Sequence, residues 1–405
     1  MYIRREIEST IHEMLQQFKV VLVTGARQVG KTTMLEECLG GGYSYVTLED
    51  PRASVQAEED ALMFFQANAL PLIIDEVQRV PSLFQTTKFV VDQSDERGQV
   101  VLTGSQTYAL MKGVSESLAG RIGILEMSGI SLRELLGKHL GPRPYVPKML
   151  KPSDLEAPKP GFDLWAHMQR GEMPGLCATD VPWDRFWTSY VQAYLERDVR
   201  DLINLKNERK FFEFMVAAAA RTGQLFNASD IANAIDVDYK TVQSWVSILQ
   251  ASGSVHILYP FCPNVGKRLA KTPKLYFMDT GLVCNLTRWN TPEQLRNGAV
   301  AGHVFETFVV SEVLKSYMNA GANVRDVWFY RDAKKREVDL VVQEGHVLHP
   351  VEIKAGSLIK ADAVNNFKCL EGMPDYEVGF GHVICQTNEP YYVARDVQAV
   401  PVWAI

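Results

Sequence analysis

The stretch Val20-Val21-Leu22-Val23-Thr24-Gly25-Ala26-Arg27-Gln28-Val29-Gly30-Lys31-Thr32-Thr33 constrains this chain more than any other. The apolar run Val20 to Val23 suits a strand covered on both faces. Gly25 to Thr32 then has the spacing G-x-x-x-x-G-K-T of a phosphate-cradling P-loop. Gly25 and Gly30 let the backbone turn tightly and approach phosphate oxygens with no Cβ in the way. The amides of Ala26, Arg27, Gln28, Val29 and of the new helix N-terminus then point at the anion. Lys31 is placed to reach the outer phosphates, Thr32 to offer a hydroxyl to Mg²⁺, and Thr33 completes the first helical turn. Met34, Leu35, Cys38 and Leu39 give that helix an apolar side. The expected ligands are ATP and Mg²⁺.

A P-loop needs acidic groups opposite it. Leu72-Ile73-Ile74-Asp75-Glu76 reads as a strand ending in two carboxylates. Asp75 suits the Mg²⁺ side and Glu76 suits a general base on water. A further strand, Val100 to Thr103, ends at Gly104-Ser105-Gln106. Ser105 there either contacts the γ-phosphate and the attacking water or simply ends a strand. Leu118-Ala119-Gly120-Arg121 precedes a fifth strand, Ile122 to Met127. Arg121 is either a charge sensor, an arginine finger acting on a neighbouring copy in a homo-oligomer, or a surface arginine. Strands at 20–23, 43–48, 72–76, 100–103 and 122–127 alternate with helical stretches at 5–18 and 53–67, a pattern that makes a parallel α/β sheet.

Prolines 142, 144, 147, 152, 158 and 160 then crowd a stretch with little periodicity, a linker or an irregular wrapping segment. Helices resume near Pro182 with a buried stripe, in which Glu196-Arg197-Asp198 reads as a salt-bridged face. Residues 211–261 read as a helix-turn-helix with a following wing: Asn227 caps a short helix, and Val242, Trp245, Val246 and Leu249 lie at core spacing on the next. Between Asn227 and Gly253 the only basic residue is Lys240. Lys267, Arg268, Lys271 and Lys274 come later, where a wing would carry them to DNA phosphates. DNA binding and packing against protein both stay open for this module.

The last part of the chain alternates charge with apolar residues inside strands. Glu306 sits on an apolar helix, Glu337 and Asp339 on one strand, Glu352 and Lys354 on the next. Alternate strand residues share a face, so Asp339, Glu352 and Lys354 come together. Charges inside such strands are costly unless paired or metal-bound. Glu306, Asp339 and Glu352 are therefore candidate ligands of a second Mg²⁺ or Mn²⁺, with Lys354 beside them. The basic run Lys334-Lys335-Arg336 lies just before, where it would meet backbone phosphates.

Two resemblances rest on these residues. The segment from about 18 to 135 resembles an AAA-type P-loop ATPase core, through Gly25 to Thr33, Asp75-Glu76 and Thr103-Gly104-Ser105. The segment from about 300 to 360 resembles the PD-(D/E)xK restriction-endonuclease-like fold, through Glu306, Asp339, Glu352 and Lys354, although no proline precedes the aspartate. Together they look like a widespread prokaryotic family of AAA-type ATPases with a C-terminal domain of unknown function. The resemblance implies a P-loop NTPase sheet (1–138), a Pro-rich linker and helical segment (139–205), a winged helix (206–272) and a nuclease-like α/β domain (273–405). It implies ATP hydrolysis on or near nucleic acid. The other reading is a nucleotide-gated binding protein whose last domain only docks a partner.

Composition narrows the setting. The net charge of −6 excludes a uniformly basic nucleic-acid coat but not a local groove. Six scattered cysteines with no C-x-x-C pair argue against a zinc site or disulfide framework and suit a reducing cytoplasm. The start of the sequence lacks a signal-peptide pattern, and no apolar run reaches membrane-spanning length.

Overall fold

The computed structural model describes residues 2–105, 110, 114, 117–138, 141–195, 208–264 and 271–405. Its first layer is a five-stranded sheet in the order β2-β3-β4-β1-β5. The strands are β1 (Val20–Thr24), β2 (Ser44–Thr47), β3 (Leu72–Asp75), β4 (Val100–Gly104) and β5 (Ile122–Glu126). All four pairings are parallel. Every residue of β1, β3 and β4 is buried, because helices cover both faces.

Alternation along these strands divides the core in two. Val20, Leu22, Leu72, Ile74, Val100 and Leu102 face one side, with Phe64, Phe84 and Val91. Val21, Val23, Ile73, Val101 and Leu125 face the other, with Ile7, Ile11, Met34 and Leu35. That second core continues without a break into the rest of the chain, through Trp187, Phe214, Tyr276, Phe305 and Phe308. The expected helical stretch over 53–67 consists of two helices, Pro51–Glu59 and Ala61–Ala67. Asp60 causes the break: its carboxylate accepts the amides of Leu62 and Met63 at 3.0 and 2.9 Å and so caps the second helix.

The proline-rich stretch wraps rather than links. Tyr145 is buried, its amide donates to Ser316 Oγ at 2.9 Å and its hydroxyl meets His382 Nδ1 at 2.6 Å. Leu150 exchanges two hydrogen bonds with the Gln398 side chain. Short helices Leu164–Arg170, Pro174–Ala178 and Trp183–Tyr190 come next. Glu196, Arg197 and Asp198 lie outside the described residues, as does Gln106.

The middle unit packs helices Glu208–Ala219, Ala228–Ile235 and Tyr239–Ala251 on a three-stranded antiparallel sheet. The sheet order is β6 (Gln224–Leu225), β8 (Lys274–Phe277), β7 (Val255–Leu258). Strand β8, expected to open the last domain, is thus the central strand of the middle one. Its residues are all buried because it is paired on both edges.

The C-terminal unit begins with helix Ala301–Asn319, which is buried around most of its circumference. It lies against a seven-stranded sheet. β9 (Val327–Arg331), β10 (Glu337–Glu344) and β11 (Val347–Ile353) form an antiparallel meander. After a 3₁₀ segment at Ala361–Leu370, β12 (Glu377–Val378) pairs with β11. β13 (Gly381–Cys385) also joins β11, in parallel. β14 (Tyr391–Ala394) and β15 (Val397–Pro401) complete the sheet beyond β13. Among the described residues no helix is long and apolar enough to cross a membrane.

Candidate functional site

The carboxyl ends of β3, β4 and β1, adjacent in the sheet, bring the first group of predicted residues to one edge. Such edges are where open parallel sheets bind ligands. The loop after β1 holds Gly25 at φ 143°, Gln28 at 62° and Gly30 at 89°. Gly25 is required for a second reason: a Cβ there would lie 2.0 Å from the Met127 carbonyl oxygen. Lys31 is buried and folds back, donating to the carbonyls of Gly25 and Ala26 at 3.1 and 2.9 Å. Thr32 Oγ1 lies 3.3 and 3.4 Å from the two Asp75 oxygens, which gathers hard oxygen donors of the kind Mg²⁺ prefers.

Glu76 leaves the strand in a left-handed conformation (φ 55°, ψ 43°), uncommon for a non-glycine residue. This turns its carboxylate toward Gln78 Nε2 (2.5 Å) and Ser105 Oγ (3.4 and 3.5 Å). Sequence reasoning missed Gln78. Its signal is Gly104, where a Cβ would stand 2.0 Å from Gln78 Oε1. Tyr45 was missed as well; its hydroxyl donates to Asp75 Oδ2 at 3.0 Å, and burial followed by the Asp75 charge pushes its pKa up. The open cleft here, about 450 Å³, is lined by Arg27, Gln28, Gly30, Lys31, Thr32, Thr33, Glu76 and Ser105. Pro174, Gly175 and Phe186 close its far wall from beyond the sheet domain.

Arg121 lies elsewhere. It immediately precedes β5, whose Ile122 pairs with Val20 at the amino end of β1. The length of a five-residue strand, roughly 16 Å at about 3.3 Å per residue, separates it from the P-loop edge. Its guanidinium pairs with Asp92 at 2.7 Å. A sensor role toward its own nucleotide is therefore out of reach.

The second predicted group assembles on β10 and β11. The register pairs Leu340 with Val351, which sets Asp339 beside Glu352. Lys354 Nζ donates to Glu352 Oε1 at 2.5 Å, and the Ile353 amide donates to Asp339 Oδ2 at 2.9 Å. Burial raises the pKa of both carboxyls; Glu306 adds to the rise at Asp339 and Asp339 to that at Glu352, while the lysines oppose it. Glu352 Oε2 is buried with no hydrogen-bond partner.

Glu306 is not drawn into this pair as expected. Its Oε1 accepts from Lys274 Nζ at 2.9 Å and Tyr276 OH at 2.7 Å. Accordingly, among the described residues no three His, Cys, Asp or Glu are grouped to hold a metal ion. Lys274 is also not the DNA-facing wing residue expected of it: it is 3% exposed and points into the carboxylates. Lys267 and Arg268 lie outside the described residues, and Lys271 is exposed.

Between the two groups lies a buried polar knot that sequence reasoning missed. Lys315 is fully buried and donates to Glu172 Oε2 (2.8 Å), Glu312 Oε1 (2.7 Å) and the Ile130 carbonyl (3.2 Å). Glu312 Oε2 accepts the Leu132 amide at 2.7 Å, and Asp279 Oδ2 accepts the Glu172 amide at 2.9 Å. Arg5, equally buried, pairs with Glu134 at 3.1 Å and donates to the P-loop carbonyl of Val29 at 2.9 Å.

Comparison with known proteins finds three family matches along the chain. Residues 17–136 match the AAA domain family, 161–293 a domain of unknown function (DUF8612) and 301–405 another (DUF4143). The N-terminal sheet is an AAA-type P-loop domain. The boundary at 293 keeps β8 with the middle unit, as its pairing does. Two relatives, the uncharacterized proteins Mb2031c of Mycobacterium bovis and Rv2008c of Mycobacterium tuberculosis, are each 28% identical over 360 residues, 87% of this chain and 74% of theirs. Among solved structures, the Walker-type ATPase PABY2304 of Pyrococcus abyssi is similar at 13% identity, 71% coverage of this chain and 96% of that one, with a TM-score of 0.44. The RuvB Holliday junction branch migration motor of Thermotoga maritima is similar at 16% identity, 62% and 88% coverage, and a TM-score of 0.30.

Proposed function

We propose that this chain binds ATP and hydrolyses it with Mg²⁺ in the cleft at the β3-β4-β1 edge. The observation that carries this reading is the convergence of Lys31, Thr32 and Glu76 on one cleft of about 450 Å³, with the Asp75 carboxylate against Thr32. In this reading the loop amides bind the phosphates, and Lys31 swings from the Gly25 and Ala26 carbonyls onto the outer ones. Thr32 and Asp75 hold Mg²⁺, which when bound neutralises charge across the phosphates. Glu76, held by Gln78 and Ser105, orients water and accepts its proton. Arg121 is left for a neighbouring copy, if for any nucleotide. The test is nucleotide binding and turnover by Lys31→Ala and Glu76→Gln. The first should lose binding and the second should bind without turnover. Wild-type hydrolysis by both would refute the assignment.

A second reading concerns the C-terminal unit: cleavage of a phosphodiester with Mg²⁺ or Mn²⁺. The partnerless Glu352 Oε2 favours it, because a buried carboxylate oxygen without a donor is a ready ligand for a cation. The antiparallel meander after an apolar helix, with β13 parallel to β11, suits the nuclease-like resemblance. Asp339 and Glu352 would hold the cation, whose Lewis acidity acts on the scissile phosphate. Lys354 stands where it stabilises developing charge, and Lys334 and Lys335 on the exposed turn suit backbone phosphates. The protein would then act on nucleic acid in the cytoplasm, with the helical middle unit, read as a winged helix, holding DNA. Cleavage of DNA and RNA with Mn²⁺, compared with Asp339→Ala, tests it. No cleavage of any substrate would leave the unit as a docking domain.

A further inference from the structure

The residue that disturbs the C-terminal carboxylates comes from another unit. Lys274 opens β8, the central strand of the middle sheet. Its ammonium lies 2.9 Å from Glu306 Oε1 and 2.7 Å from Glu337 Oε1, and 5.5 Å from the centre of the Phe329 ring. Tyr276, on the same face two residues on, donates to Glu306 as well. Burial alone would disfavour the ammonium, but Glu306, Asp339 and Glu337 outweigh it and hold the lysine charged.

Charge decides what this contact does. Glu306, Glu337, Asp339 and Glu352 face the cations Lys274, Lys354 and Arg331. With Lys274 withdrawn, four carboxylates would face two cations, an imbalance that one divalent ion neutralises. Glu306 would be released at the same moment, while Glu352 Oε2 already lacks a donor.

We propose that Lys274 is the resident cation of this cluster and its lock: while its ammonium spans Glu306 and Glu337, the site takes no divalent ion, and displacement of β8 admits one. The proposal rests on the reading of Asp339 and Glu352 as cation ligands. It makes loading of the C-terminal site depend on how the middle unit is seated. The same segment continues into Asp279 and Thr280, which bond to Glu172 in the knot beside the sheet domain.

The test is Mn²⁺ binding to the full chain without nucleotide, read from the spectroscopic signal of free Mn²⁺. K274M should bind one Mn²⁺ at least tenfold more tightly than wild type, and added Mn²⁺ should raise its Tm. E337Q removes one anchor of Lys274 and no proposed ligand, so it should give a smaller gain. K274M combined with E352Q should lose the gain. Equal binding by wild type, K274M and E337Q would overturn the lock yet leave the cation ligands standing. Absence of binding in every variant would overturn both. Should K274M fail to fold, E337Q decides by the same criterion.

Discussion

The two charged sites of this molecule are built in opposite ways. The nucleotide cleft hangs its polar groups on the ends of parallel strands and the loops that follow them. Its lysine is satisfied by carbonyls five and six residues away. The C-terminal cluster sets its charges along the faces of antiparallel strands, buried in the sheet. Its second lysine comes from a different unit, 32 residues before the glutamate it holds. The first site therefore draws its polar groups from one unit, poised to exchange internal hydrogen bonds for a ligand's, although Pro174, Gly175 and Phe186 wall it from another. The second is an assembled one, whose state reports how two units are packed.

The largest expected effect tests whether the two regions are one cooperative body. Lys315 ties Glu172 and Glu312 to the Ile130 carbonyl. Lys315→Met leaves two buried carboxylates without their cation and should cost about 3–5 kcal/mol. Denaturant unfolding should show one transition at lower midpoint; two transitions, only one of them moved, would make the regions independent. Next, Lys31→Ala should lower ATP turnover by at least about 10²–10³-fold, the range for losing one preorganised charge partner. Mn²⁺ binding at the C-terminal cluster should be unchanged, and a parallel loss there would erase the distinction between a local and an assembled site.

A third effect is pH-dependent. His382 has both ring nitrogens engaged, by Tyr145 OH and the Lys148 carbonyl, and burial pushes its pKa down to about 4. A depressed folded pKa means the unfolded chain binds more protons between pH 6.5 and about 4. Stability from this residue is thus present above 6.5 and lost as pH falls through that window. The whole contribution is on the order of 3 kcal/mol, from about 1.36 kcal/mol per unit. Thermal melts from about pH 7 to 4.5 should be flatter for His382→Gln, and an unchanged slope would show the wrapping contact to be immaterial. The smallest effect is at Arg121. Exposed pairs contribute little, so Arg121→Ala should leave Tm unmoved and spare turnover in dilute monomer. A loss of turnover appearing only at high protein concentration would assign it to a neighbour.

The contrast also explains what could be read from sequence. Contiguous features were legible: the strand-loop-helix at 20–39, the strand ending in Asp75, and the helix that Asn227 caps by accepting the Ser229 amide. Face alternation placed Asp339 near Glu352 because register is set by a short turn at Glu344 to Val347. The partners of Glu306, by contrast, depend on how β8 docks, and nothing local to Lys274 announces it. Its lysine among basic neighbours looks like a phosphate contact until β6 and β7 flank the strand. Lys315 and Arg5 were hidden for the same reason. A lone lysine in an apolar helix looks like a stray charge, and only the fold brings Glu172, 143 residues away, to it.

The wrapping segment sets a timetable for the chain's birth. Tyr145 must wait for His382, 237 residues later, and Leu150 for Gln398, 248 residues later. At about 5–20 residues per second on the ribosome, the delay is roughly 10 to 50 s. Throughout it the proline-rich stretch has no sheet to lie on, and Thr10 waits longer still for the Asn319 carbonyl it will bind at 2.6 Å. Early synthesis leaves the sheet domain nearly complete, its Val21, Val23 and Val101 face covered by Ile7, Ile11, Met34 and Leu35, but the apolar core that continues from there through Phe305 and Phe308 is still missing. A nascent chain stalled after residue 300 should therefore be a chaperone client, and one released whole should not.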